Sequence, residues 1–274
     1  MTHVRLLTDA DLPSCMRLKE AAGWNQTGAD WRNLMALAPD GCFGIDCDGK
    51  LRATTTAVCF GQELAWIGMV LTDSAYRRRG LARQLMEHAR EYLRSRSVAW
   101  IKLDATDMGA PLYERLGFRE EGRIERWIRP RGAAPDGRSS AGRFALDAAL
   151  DREAFGADRS RLLEVLAGIE SAAVTGRGFA MGRPGATGAY FGPSVARSAD
   201  AARDLVAWFL RRHPDEDVCW DILAANNAAV SLARQFGFER RRDLSRMAVS
   251  GMSPAPAFQK NDQLVFAAAG FEFG

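Results

Sequence analysis

Leu81, Leu85, Ala89 and Leu93 recur at helical spacing, with Arg83, Glu87, Arg90 and Arg94 off that stripe, which predicts a helix burying one face. Just before it, Ala65 to Leu71 is apolar on both faces, the pattern of a central strand. Cys42 to Asp46 and Leu51 to Phe60 predict a hairpin turning at Asp48-Gly49. Nearer the start, Val4 to Leu7 reads as a short strand. Thr8-Asp9-Ala10-Asp11 offers cap chemistry for a helix carrying Leu12, Cys15, Met16 and Lys19. Val98 to Asp104 predicts a strand, Pro111 to Leu116 a short helix and Gly122 to Ile128 another strand. The order is mixed α/β.

Residues 131–143 lack apolar periodicity and are dense in Gly, Pro and Ser, as a linker is. The chain repeats itself across this segment. Leu112-Tyr113-Glu114-Arg115-Leu116-Gly117-Phe118 aligns with Leu232-Ala233-Arg234-Gln235-Phe236-Gly237-Phe238, and Trp66-Ile67-Gly68 with Tyr190-Phe191-Gly192. Two copies of one domain are therefore expected, at 1–130 and 144–274, rather than a solenoid of short units. Leu264 to Phe271 reads as a final central strand, one that could be lent across the boundary.

Composition narrows the function without naming it. Lys and Arg number 37 against 34 Asp and Glu, a net charge of +3, too weak a bias to make nucleic acid or an anionic membrane the main partner. No apolar run approaches the ~20 residues needed to cross a bilayer, and the first residues lack the apolar core of a signal peptide, so a cytoplasmic location is expected. Five cysteines without a Cys-x-x-Cys pair, and three histidines, argue for buried thiols and no metal site.

The chemistry concentrates between Ile67 and Arg83. A buried strand feeds Arg77-Arg78-Arg79-Gly80, which opens the amphipathic helix. Free N–H groups of a first helical turn and the positive end of the helix dipole make an anion site, and Gly80 and Ala82 leave room for phosphate oxygens to approach. Arg77, Arg78, Arg79 and Arg83 add charge. About thirty residues on comes Tyr113-Glu114-Arg115-Leu116-Gly117-Phe118. Together, Arg-x-x-Gly-x-Ala and Tyr-x-x-x-Gly-Phe resemble the two signatures of the GCN5-related N-acetyltransferase superfamily, and the β-α-β order extends the resemblance over Val4 to Ile128.

That resemblance implies an α/β (α+β) fold of two tandem domains, each a mixed, mostly antiparallel sheet flanked by helices. It implies acetyl-CoA as co-substrate, with the pyrophosphate on Arg77, Arg78, Arg79, Gly80, Leu81, Ala82 and Arg83, and the pantetheine arm along Met69, Val70 and Leu71. Tyr113 matches the tyrosine beside the cofactor sulfur, and Glu63 the position of a base acting through water. Trp24, Asn25 and Gln26 fall where the superfamily builds its acceptor site, Trp31 fitting a core better. The expected reaction is acetyl transfer to a primary amine of a small molecule or peptide by direct attack on the thioester, in a monomer or homodimer. A non-catalytic acyl-CoA sensor and a transferase for longer acyl groups are the alternatives. The second copy lacks the arginine-glycine signature, carries Asp200 and Asp204 there and Ala233 at the tyrosine position, and so reads as degenerate. Asn226 fits a helix cap, and Arg240-Arg241-Arg242 a solvated face, with anion binding the alternative.

Overall fold

The computed structural model describes residues 3–135 and 139–274. The first half comprises β1 (Val4–Leu6), α1 (Leu12–Ala21), α2 (Gly28–Leu37), β2 (Cys42–Cys47), β3 (Lys50–Phe60), β4 (Leu64–Thr72), α3 (Leu81–Ser95), β5 (Trp100–Ala105), α4 (Ala110–Arg115) and β6 (Arg119–Arg129). The second comprises α5 (Ala148–Phe155), α6 (Ser160–Ala167), β7 (Glu170–Val174), β8 (Gly178–Arg183), β9 (Ala189–Ala196), α7 (Ala199–Arg212), β10 (Val218–Leu223), α8 (Asn227–Gln235), β11 (Glu239–Ser250) and β12 (Val265–Ala267). Local chemistry places these elements where the pattern predicts. α3 buries Leu81, Leu85, Met86, Ala89 and Leu93. Thr27 and Asp30 close a capping box on α2. Asp48 and Gly49, both at positive φ, turn the β2–β3 hairpin.

The strands join one sheet in the order β1-β2-β3-β4-β5-β11-β6-β10-β9-β8-β7, with β12 beside β9. β4/β5 and β9/β10 are the parallel pairs, and the remaining pairs are antiparallel. The halves are interleaved. β11 lies between β5 and β6, and β6 lies between β11 and β10, so each half inserts its long strand into the other. Among the described residues, one core cluster spans both halves on the face of α1 and α2, joining Trp31 and Leu34 to Phe155, Leu163 and Phe273. Separate clusters lie under α3 and α4 and under α7 and α8.

This arrangement corrects one expectation. Within Leu264 to Phe271 only Val265–Ala267 is strand, and the strands exchanged across the boundary are β6 and β11. Of the expected linker, 136–138 lie outside the described residues. Its flanks are pinned to the second half: the Ser139 hydroxyl donates to the Asp204 carbonyl at 2.7 Å, and Gly142 bridges to Ala173.

Both parallel pairs open into wedges. The β4–β5 ladder runs from Leu64–Trp100 to Trp66–Lys102 and stops, although both strands continue. The β9–β10 ladder stops likewise at Phe191–Trp220. β12 fills this second wedge. Val265 pairs with Val195 and Ala267 with Ser194, and the Ala268 N–H donates to the Asp221 carbonyl at 3.0 Å. Asn226 caps α8 through the Ala229 N–H, and its amide donates to the Val265 carbonyl at 2.9 Å. The first wedge stays open.

Candidate active site

The open wedge begins with an irregularity in β4. Thr54 pairs with Leu71 and Thr56 with Gly68, so Thr55 faces both Met69 and Val70. This is a bulge, and Met69 takes a φ of +49° to make it. The Thr54 hydroxyl holds the Met69 carbonyl at 2.8 Å. The extra residue leaves backbone out of the ladder, beside a cavity of about 1340 Å³ lined by Met69, Val70 and Leu71.

The same cavity reaches the start of α3. Asp73 fixes the approach, accepting the Ala75 N–H at 3.1 Å and pairing with Arg52 at 2.7 Å and Arg17 at 3.2 Å. Arg78 and Gly80 both turn at positive φ, and no atom lies within 4 Å of where a Gly80 side chain would begin. Arg77, Arg78, Gly80, Leu81, Ala82 and Arg83 line the cavity, so exposed guanidinium groups surround a helix start whose first N–H groups have no partner within the helix. Arg79 does not join them. Its guanidinium stacks on the Tyr76 ring at 4.6 Å, with Arg52 at 4.3 Å from the same ring.

Tyr113 stands in the wall, 7% exposed. Burial pushes its phenol well above the ordinary value, so it keeps its proton across the neutral range. Trp24 and Gln26 also line the cavity. Asn25, expected beside them, does not. It is buried between the halves, accepting the Thr187 N–H at 2.7 Å and donating to the Gly188 carbonyl at 3.1 Å. Trp31 is core. Glu63 lies outside the cavity, exposed where β4 begins, and pairs with Arg152 at 2.8 Å.

A carboxylate enters the site from the other half. After filling the second wedge, the chain crosses to the first, where the Trp66 indole donates to the Phe271 carbonyl at 3.0 Å. Glu272 follows, in the cavity lining and 1% exposed. A Cβ on Gly68 would sit 2.8 Å from the Glu272 Cα, so only glycine allows this approach. Glu272 bonds Arg183 and the Gln26 amide at 2.8 and 2.6 Å, and Arg183 also pairs with Asp30 at 2.8 Å. Burial raises the Glu272 pKa against the pull of Arg183. The Gln26 amide is fixed by this bond, and its Oε1 is buried without a partner. Nothing local marks Glu272, because its position depends on a contact 204 residues away in sequence.

Arg241 and Arg242, expected on a solvated face, also line the cavity, and Arg242 is half-buried. Among the described residues no group of three or more His, Cys, Asp or Glu side chains could hold a metal ion, and no helix is long and apolar enough to cross a membrane.

Comparisons with known proteins place the chain in a family and agree with its fold. The model of the acetyltransferase (GNAT) family matches residues 10–118, and that of the acetyltransferase (GNAT) domain matches 148–267. The uncharacterized N-acetyltransferase YitH of Bacillus subtilis is 28% identical over 216 residues, covering 73% of this chain and 75% of its own. The ribosomal protein bS18-alanine N-acetyltransferase of Escherichia coli K12 is 31% identical over 127 residues, covering 44% of this chain and 82% of its own. The crystal structure of an acetyltransferase candidate from Pyrococcus horikoshii superposes with a TM-score of 0.87 at 20% identity, covering 100% of this chain and 96% of that one.

Proposed function

Because the chain belongs to the GCN5-related N-acetyltransferase family, with a matching domain in each half, we propose that it transfers an acetyl group from acetyl-CoA to a primary amine of a small molecule or peptide, in the first-half cavity. The observation that carries this reading is the open wedge beside β4, continuous with the arginine-rich start of α3 and walled by Tyr113.

The residues present suit the co-substrate. Gly80 and Ala82 leave open backbone for a pyrophosphate, Arg77, Arg78 and Arg83 supply charge, and the bulged β4 offers main chain to an amide-bearing arm. Acetyl-CoA brings the activated thioester and a good leaving group. The protein's part is to orient, to stabilise negative charge on the acyl oxygen and to move protons. Backbone N–H groups of Met69 to Leu71 serve the oxyanion. Tyr113, kept protonated by burial, holds a proton for the departing sulfur.

An ammonium group has no lone pair, so its proton needs a destination. Glu272 takes that role in place of Glu63. It lies in the cavity lining, and burial raises its pKa even against Arg183, which makes it a stronger base than an exposed carboxylate, whereas Glu63 lies outside the cavity. The second half is a degenerate copy on this reading. β12 occupies the wedge that corresponds to the open one, α7 carries Asp200 in its first turn, and Ala233 replaces the tyrosine.

Calorimetric titration with coenzyme A tests the site, and thiol release from acetyl-CoA across an amine panel tests the reaction. One equivalent of coenzyme A per chain is expected, with affinity falling at least about tenfold in Arg77→Ala/Arg78→Ala. Tyr113→Phe should lower kcat by about 10²-fold while leaving that affinity unchanged. Binding unaffected by the arginine changes, or two equivalents per chain, would overturn the assignment.

A further inference from the structure

Several arginines in this cavity lie outside the proposed chemistry; Arg17, Arg123 and Arg241 have carboxylate partners, Arg115 is on α4, and Arg242 is half-buried on β11. It stands on β11 opposite Arg126 on β6, so the two side chains share a face of the sheet. Like charges directly opposite each other destabilise a sheet unless each is compensated. Arg126 is compensated. Asp221 takes it in a fork at 2.8 and 2.6 Å, and its guanidinium lies 4.4 Å from the centre of the Phe271 ring. The Arg242 guanidinium has neither a hydrogen bond nor an ion pair with any described residue. Asp221 and Asp107 lie near enough to act on it through space, but Asp221 is committed to Arg126 and Tyr190. Burial also pulls the Arg242 guanidinium below its ordinary pKa.

The face it occupies is the one away from α3. Leu244, two residues on along β11, belongs to the core cluster containing Trp31 and Leu34 of α2, whereas Tyr113 belongs to the cluster under α3 and α4. The phosphate-binding helix start therefore serves one side of the wedge, and Arg242 the side of Trp24, Gln26, Phe271 and Glu272. On that side Gln26, a cavity-lining residue, keeps an unpartnered acceptor, Oε1, beside Glu272, while Arg242 offers an unanswered fork of donors. We propose that the acceptor carries a carboxylate as well as its amine, as an amino acid or short peptide does, and that Arg242 binds that carboxylate. A carboxylate restores the compensation Arg242 lacks, and two separated charges fix the direction in which the amine points.

This inference rests on the transferase reading above, and its test separates the two. Binding of N-acetylated amino acids and dipeptides with a free carboxylate is compared with that of their carboxamides, by calorimetry with excess coenzyme A and again without it. At least one acid is expected to bind at least about tenfold more tightly than its amide. Arg242→Gln should abolish that preference and Arg242→Lys should keep part of it, both with coenzyme A affinity unchanged. Acids and amides binding alike in the wild type, no acid binding at all, or a preference that survives Arg242→Gln would each overturn the inference. The wild-type comparison needs no variant to fold. A wild type that binds no coenzyme A or turns over no amine, yet keeps the acid preference, would sink the transferase reading and leave Arg242 as a carboxylate site.

Discussion

Gly68 and Lys102 show how single positions on the two splayed strands are constrained by the other half. Gly68→Val should force Glu272 away from β4, costing about 1–3 kcal/mol by overpacking and lowering turnover, read by thermal melting and by the amine assay. The Lys102 ammonium is buried beside Glu121, and burial together with Lys260 pulls its pKa from 10.5 to about 8. The unfolded chain therefore binds more protons between those values, and this group makes stability rise as pH climbs from about 8 toward 10.5. Lys102→Met should flatten that rise by about 1–3 kcal/mol in denaturant titrations, while Glu121 keeps Lys260 as partner at 3.3 Å. At this scale the sequence was informative where the signal is local. Gly80 and Ala82 stand at the start of α3 and Tyr113 on α4, the helices the pattern predicts, because a helix sets its own local geometry. Arg79 turns away because Tyr76 offers its ring, and Asn25 because Thr187 and Gly188 reach it, neighbours that no spacing discloses.

Among elements, β12 makes a wedge unlike its counterpart, and Asn226 ties it down. Asn226→Ala would remove a helix cap and leave the Val265 carbonyl without its amide donor. It should cost about 2–4 kcal/mol and speed proteolysis between 251 and 267, followed by mass spectrometry. Helices and hairpins were legible because their periods and turn residues report burial within one segment: Leu81 to Leu93 for α3, Asp48-Gly49 for the β2–β3 turn. The identity of a strand's neighbours was not. Alternation along Arg119–Arg129 or Glu239–Ser250 tells which face is apolar, and is silent on whether β5, β6 or β10 lies alongside. Leu264 to Phe271 misled for a related reason. Its apolar run reflects burial between the halves, and strand pairing accounts for just three of its residues.

For the whole molecule, exchange of β6 and β11 makes the halves depend on each other. The Arg126–Asp221 pair, buried where β6 meets β10, fastens that exchange, and Asp221→Ala should cost about 3–5 kcal/mol by stranding a charge. Calorimetry should show one unfolding transition, and residues 1–130 alone should bind no coenzyme A, because β6 would lose β11 and β10 and the cavity would lose Glu272. Two independent melts would refute this. The interleaving also bears on how such proteins can be recombined. A chimera spliced within 131–143 joins one parent's β6 to another parent's β10 and β11, so its seam runs through hydrogen-bonded ladders in mid-sheet. Grafts that carry β6 and β11 together from one source keep the β11–β6 ladder native and leave seams only along β5 and β10, and a library built that way should yield folded hybrids that splicing within 131–143 does not.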